Sequence, residues 1–334
     1  MGRATGTTRC AAIAFAGLLA LTALAAAGPP SHPVRLGILA PIAPSFDPTT
    51  DPAVRAFVEG LRELGYTPGR DIVFEYRSAQ GNAQALPQLA EQLIQAKVDI
   101  LLALAPSPAI AAAKATKTVP IVVVGATDVV ETGLVASLAR PGGNVTGLAL
   151  NAAEIAAKRV QFSREAVPGS SRVAVLWNAN VPGMALGLQN IEKASPQLGV
   201  ILQPVRVSGS DELDQGFAAI ESGHPDGLVV LYGPMRGNDQ PRILEFVTQH
   251  RLPTLFQPGQ GVGGGRLMEF GPKFEPMYRR AAFYVDKIAN GAAPAALPVE
   301  EPNDFDLVIN LKAAKSLGLD VPYSLLMRAD RVIE

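Results

Sequence analysis

The polar side chains best placed to bind a small molecule stand just after apolar runs. Ser45 and Phe46 follow the run 34–40, in a loop stiffened by Pro41, Pro44 and Pro48. Phe46 suits either packing or stacking on a ligand. Ser107 follows the run 98–104 and precedes Pro108. Its hydroxyl can cap the helix that the proline starts, and the free amides of that helix start suit a carboxylate. Thr127 and Asp128 follow the run 120–124. Asp128 suits a ligand ammonium, or the cap of a following helix. Asn178 and Asn180 close the run 172–177 and offer amides to a polar group, or a turn. Tyr232 and Arg236 follow the run 227–231 and offer an aromatic face and a cation, unless the arginine is simply solvated.

Other chemistries find little support. His32, His224 and His250 are the three histidines, and none has metal-ligand spacing with another. Residues 259–264 match G-x-G-x-x-G, but a dinucleotide site needs a helix after the glycines, and 266–270 reads as a strand. No G-x-S-x-G elbow, Walker loop or zinc motif occurs. Glu300 and Glu301 are adjacent on an extended segment, so they point to opposite faces and make a poor acid–base dyad. No metal or cofactor is expected.

The elements that hold these residues alternate. Strands are expected at 34–40, 71–76, 98–104 and 120–124, with helices at 53–64, 83–97, 108–116 and 129–138. After a strand-like crossing at 144–150 and a helix at 152–166 the pattern restarts. Strands at 172–177, 200–207, 227–231 and 253–256 enclose helices at 182–196, 211–221 and 239–250. A strand at 267–270, a helix at 274–290, a strand at 307–309 and a helix at 312–317 complete the chain. Such βαβ alternation predicts an α/β protein with parallel sheets and right-handed crossovers. Two Rossmann-like lobes are expected, 28–147 plus about 271–300 and 148–270 plus about 301–334, with a cleft at the carboxyl ends of both sheets.

The N-terminus speaks to location. Arg3 and Arg9 precede the uncharged residues 11–27, apolar or small except for Thr22, which end in Ala25-Ala26-Ala27 before Gly28-Pro29-Pro30. Residues 1–27 therefore read as a cleavable signal peptide. A membrane anchor is the weaker alternative, because spans usually need about twenty apolar residues. Cys10, the single cysteine, precedes the apolar run, where a lipid-modified cysteine would follow it. The rest of the chain must then be stable without disulfides. With 29 basic and 30 acidic residues the net charge is -1, and no Lys/Arg run exceeds Arg279-Arg280, which disfavours nucleic acid. No later segment is long and apolar enough to span a membrane.

Several stretches carry a family resemblance. Leu134-Val135-Ala136-Ser137-Leu138-Ala139-Arg140-Pro141-Gly142-Gly143-Asn144-Val145-Thr146-Gly147 resembles the central signature of a family of ABC-transporter substrate-binding proteins. Leu61-Arg62-Glu63-Leu64-Gly65-Tyr66, Tyr278-Arg279-Arg280-Ala281-Ala282, Val308-Ile309-Asn310-Leu311-Lys312-Ala313-Ala314 and Leu326-Met327-Arg328-Ala329-Asp330 match it too. The resemblance implies the two-lobed type I periplasmic binding fold. It also implies a monomer in the periplasm that captures a small solute by hinge closure and delivers it to ABC permease subunits, its only route of membrane contact. The hinge is expected near 146–150, 268–271 and 302–305. Relatives linked to tryptophan or tyrosine uptake suggest an amino acid, including an aromatic one, or a related carboxylate. The chain departs from the family at Val129, where Gly-Asp-Pro is usual, at Ala179, where Asn-Pro is common, and at Gly233, where many relatives are acidic. A ligand sensor for a membrane signalling partner and a secreted hydrolase are the rival functions. The missing nucleophile motif counts against the hydrolase.

Overall fold

The computed structural model describes residues 2, 32–180, 184–231, 239–257 and 266–334. The first sheet begins with β1 (Val34–Ala40), which leads into α1 (Pro52–Glu63) and β2 (Ile72–Ser78). Next come α2 (Leu86–Gln95), β3 (Ile100–Leu104), α3 (Pro106–Ala115), β4 (Ile121–Thr127) and β5 (Val145–Leu150). Their order is β2-β1-β3-β4-β5, and every pair is parallel. β3 and β4 are buried throughout, which is why they read as unbroken Ile, Leu and Val runs. Asp51 caps α1 by accepting from the amides of Ala53 and Val54, and Pro52 pre-sets the first turn.

The second sheet draws on the rest of the chain. Here α4 (Ala152–Ala166), β6 (Arg172–Asn178), α5 (Met184–Leu198), β7 (Ile201–Val207), α6 (Leu213–Gly223) and β8 (Gly227–Leu231) are followed by α7 (Asp239–Gln249), β9 (Thr254–Phe256) and β10 (Met268–Pro272). α8 (Phe274–Ala289) then returns to the first lobe, where it packs on α1. Gly60 makes that packing possible: a Cβ there would lie 3.1 Å from both the Ala282 Cβ and the Arg279 carbonyl. The chain ends with β11 (Phe305–Asn310), α9 (Leu311–Leu317), α10 (Tyr323–Leu326) and β12 (Arg331–Ile333) back in the second lobe. The strand order is β12-β11-β10-β9-β8-β6-β7, parallel except for β10 with β11.

Several expectations are corrected. Residues 129–138 form turns, not a helix. Asp128 enters them in the left-handed region with φ 51°, and its carbonyl accepts from both the amide and the hydroxyl of Thr132. The β-branched Val129, Val130 and Thr132 with Gly133 favour helix poorly. Asp128 therefore caps no helix. Ser107 is not a cap either: α3 starts one residue earlier, at Pro106, with Ala105 as its cap at φ 80°. Residues 146–150 and 268–271 lie inside β5 and β10, so the first sheet runs to Leu150, three positions beyond the expected lobe boundary at 147. The chain crosses between lobes at Asn151, at Lys273 and over 301–304, where Lys273 N donates to Asp304 O. These crossings thus lie within a few residues of the segments expected to hinge. α10 and β12 were not anticipated, because each is too short to show a period.

Candidate ligand-binding site

A cavity of about 490 Å³ lies between the lobes. From the first lobe it receives the loop after β1, the start of α3 and the end of β4; from the second it receives one face of α4, the start of α5 and the end of β8. One wall is aromatic. The Phe46 ring stands edge-on to Phe57 and Phe74, with centroids 5.8 and 5.6 Å away, and 6.1 Å from Tyr76. Tyr76 ties this wall down by donating its hydroxyl to Ala43 O at 2.5 Å. Tyr278, on α8, completes it. Burial and then the nearby Asp51 carboxylate push the Tyr278 hydroxyl well above its ordinary range.

The opposite wall holds Arg159, on α4, which is 5% exposed. Its Nε donates to the Phe270 carbonyl at 2.8 Å, the one side-chain hydrogen bond it makes among the described residues. Burial alone lowers its pKa to about 9. Thr127 also lines the cavity, 8% exposed, with its Oγ1 buried and unpartnered among the described residues.

A second, more polar compartment of about 700 Å³ shares Pro41 and Ile42 with the first. Ser107, Asn178 and Asn180 line this one. The two asparagines are partly committed to a turn: Asn178 Oδ1 accepts from Asn180 N at 2.9 Å, and Asn180 Nδ2 donates to Ser208 O. The sequence-predicted residues therefore divide. Ser45, Phe46 and Thr127 meet in the first cavity, while Ser107, Asn178 and Asn180 meet in the second. Asp128 lines neither. Its carboxyl stands toward Glu131 and the crossing residue Glu301, and burial, with those two charges added, raises it to about 6. One of its oxygens is buried without a partner among the described residues. Tyr232, Arg236 and the glycine-rich stretch 259–264 lie outside the described residues, as do residues 3–31 and with them most of the expected signal peptide.

Arg159, Asp51, Tyr76 and Tyr278 were missed. For Arg159 there was a signal. Ile155, Ala156, Val160 and Ser163 form the buried stripe of α4, and Arg159 interrupts it, a charge where helical spacing demands an apolar side chain. Among the described residues no cluster of His, Cys, Asp or Glu suits a metal ion, and no helix is long and apolar enough to cross a membrane.

Two α/β lobes, joined by three crossings and facing each other across a ligand-sized cavity, define a type I periplasmic binding protein architecture. The chain belongs to the ABC transporter substrate-binding protein family, whose model matches residues 38–333. The tyrosine-binding protein of Clostridioides difficile (strain R20291) is 24% identical over 276 residues, covering 81% of this chain and 78% of that protein. A conserved domain protein from Vibrio cholerae superposes with a TM-score of 0.79 at 26% identity, covering 90% of this chain and 99% of that one. The ABC domain in complex with L-Trp from Streptococcus pneumonia superposes at 0.80 with 22% identity, covering 90% and 100%.

Proposed function

We propose that this protein is the extracytoplasmic solute-binding component of an ABC importer. It captures an amino acid, an aromatic one included, or a related carboxylate between its lobes, and delivers it to a permease. It works in the periplasm as a monomer after removal of residues 1–27, without catalysis, a cofactor or a nucleic-acid partner. The observation that carries this function is the cavity itself, whose aromatic wall belongs to one lobe and whose buried cation belongs to the other.

A ligand touching both walls binds the closed arrangement more tightly than an open one. That difference is the energy available for closure. Phe46 stacks on the ligand body, Ser45 and Thr127 supply hydroxyls, and Ser107, Asn178 and Asn180 line the neighbouring polar compartment. Tyr232 and Arg236, which lie outside the described residues, are proposed as further ligand contacts on their sequence alone. The names of the tyrosine-binding relative and of the L-Trp complex support the choice of ligand class. A thermal-shift screen of protein that has been unfolded and refolded, against amino acids, aromatic acids, nucleosides and sugars, tests it. A concentration-dependent rise in Tm with an amino acid or aromatic acid is expected. A rise with sugars or nucleosides alone would remove the assigned ligand class.

A further inference from the structure

The geometry points to Arg159 as the receptor for a carboxylate on the solute, so that the ligand is a small acid with a flat apolar body. This inference rests on the cavity being the solute site. Among the described residues two arginines are buried, and they are treated differently. Arg266, 2% exposed, has its own carboxylate in Glu269, 3.2 Å away and 4% exposed. Arg159 has none: no ion pair joins it to any described acidic residue. Nor does an acid stand elsewhere to meet it, because residues 3–31, 181–183, 232–238 and 258–265 contain no Asp or Glu.

A buried cation without a counter-charge is costly unless something that binds there supplies one. Burial is also the sole influence on its ionisation, with no acid near enough to raise it. The Phe270 carbonyl anchors Nε, which fixes the guanidinium plane and leaves Nη1 and Nη2 without protein partners among the described residues. Guanidinium nitrogens match the paired oxygens of a carboxylate. Across the cavity stand Phe46, Phe274 and Tyr278, which set the apolar body.

Two kinds of acid share this chemistry. An α-amino acid carries an ammonium as well, and Asp51 is the one acidic residue among the described lining of the cavity. An acid without the amino group would leave Asp51 unused.

Titration calorimetry on the refolded protein separates these outcomes. Phenylalanine, tyrosine and tryptophan would be compared with their primary amides, and with phenylpropionate and benzoate. On the unaltered protein each acid is expected to bind about a hundredfold or more tightly than its amide. Arg159→Met should lose a similar factor for the acids and little for the amides. Arg159→Lys, which keeps the charge without the fork, should fall between. The acid-to-amide ratio needs no variant, so a folding defect in Arg159→Met does not decide the matter; circular dichroism checks it. Preference for the amino acids over phenylpropionate, lost in Asp51→Asn, assigns the ammonium to Asp51, while equal affinities assign the solute to the acids without it. Amides binding as tightly as acids, or Arg159→Met keeping acid affinity within about threefold, would overturn the role of Arg159 while leaving the cavity as the solute site. Binding by none of the acids, with a sugar or nucleoside bound instead, overturns both this role and the ligand class. Unchanged affinity for a bound acid in Phe46→Ala as well as in Arg159→Met would place the solute outside this cavity.

Discussion

At the scale of single residues, Asp128 is a local liability. Its carboxyl is lifted from 3.8 to about 6, first by burial and then by Glu131 and Glu301. A raised carboxyl favours the folded state only while it is protonated. Stability from this group is therefore complete below about pH 4 and is lost as pH rises through 6. Asp128→Asn is expected to raise the unfolding free energy at pH 7.5 by about 1–2 kcal/mol, discounted because the group is only half-buried. At pH 4 the gain should vanish. Equal gains at both pH values in urea unfolding would show that charge is not the cause. Thr127→Val makes the complementary case. It removes a buried hydroxyl with no described partner, so stability should hold within about 0.5 kcal/mol. Ligand affinity should drop if the hydroxyl meets the solute, and calorimetry reads both quantities.

At the scale of elements, two close approaches decide the architecture. Gly147, on β5, has φ 127°, and a Cβ there would collide with the Val123 carbonyl on β4. Relief would require breaking the pairing that ends the first sheet, so Gly147→Ala is expected to cost about 3 kcal/mol or more. An expression yield and urea midpoint close to those of the unaltered protein would contradict this. Gly60 lets α1 and α8 meet. Gly60→Leu should cost about 1–3 kcal/mol by overpacking. Because α8 carries Tyr278, the same change is expected to weaken ligand binding from a distance. Ion pairs support this seam but do not decide it: Arg279 reaches both Glu59 and Glu63, and all three remain at least partly exposed.

At the scale of the whole molecule, the cavity has walls from two sheets, so the proposed function couples binding to lobe closure. A saturating ligand is expected to lower the radius of gyration in small-angle scattering, and an unchanged value would remove closure from the mechanism. The net charge of -1 gives little long-range steering of an acid toward the cleft. On the role proposed for Arg159, attraction comes instead from a buried cation, which salt screens weakly. Affinity for a bound acid should therefore change by less than about threefold over a tenfold rise in ionic strength. A steep decline would place the charge recognition at the surface.

The layered α/β class, both sheets and most helices were legible in the sequence, because a buried parallel strand must be apolar on both faces and a covering helix must repeat its apolar stripe. Family membership was legible too, through motifs such as Leu61–Tyr66 and Asn144–Gly147 that hold turns and seams in place. The turns at 129–138 were not, because apolar residues at helical spacing there pack through loops whose left-handed entry at Asp128 has no periodic signature. The site divided along the same line. Phe46, in the loop after β1, and Thr127, at the end of β4, were legible as candidates from their place after strands, and both line the cavity. Arg159 on α4, Asp51 at the cap of α1 and Tyr278 on α8 are far apart in the chain, and only the return of α8 to the first lobe and the facing of the two sheets bring them to one cavity. Sequence periodicity records which face of an element is buried; which other element covers that face, and so whether a buried arginine meets a glutamate or a ligand, is decided by packing between distant segments.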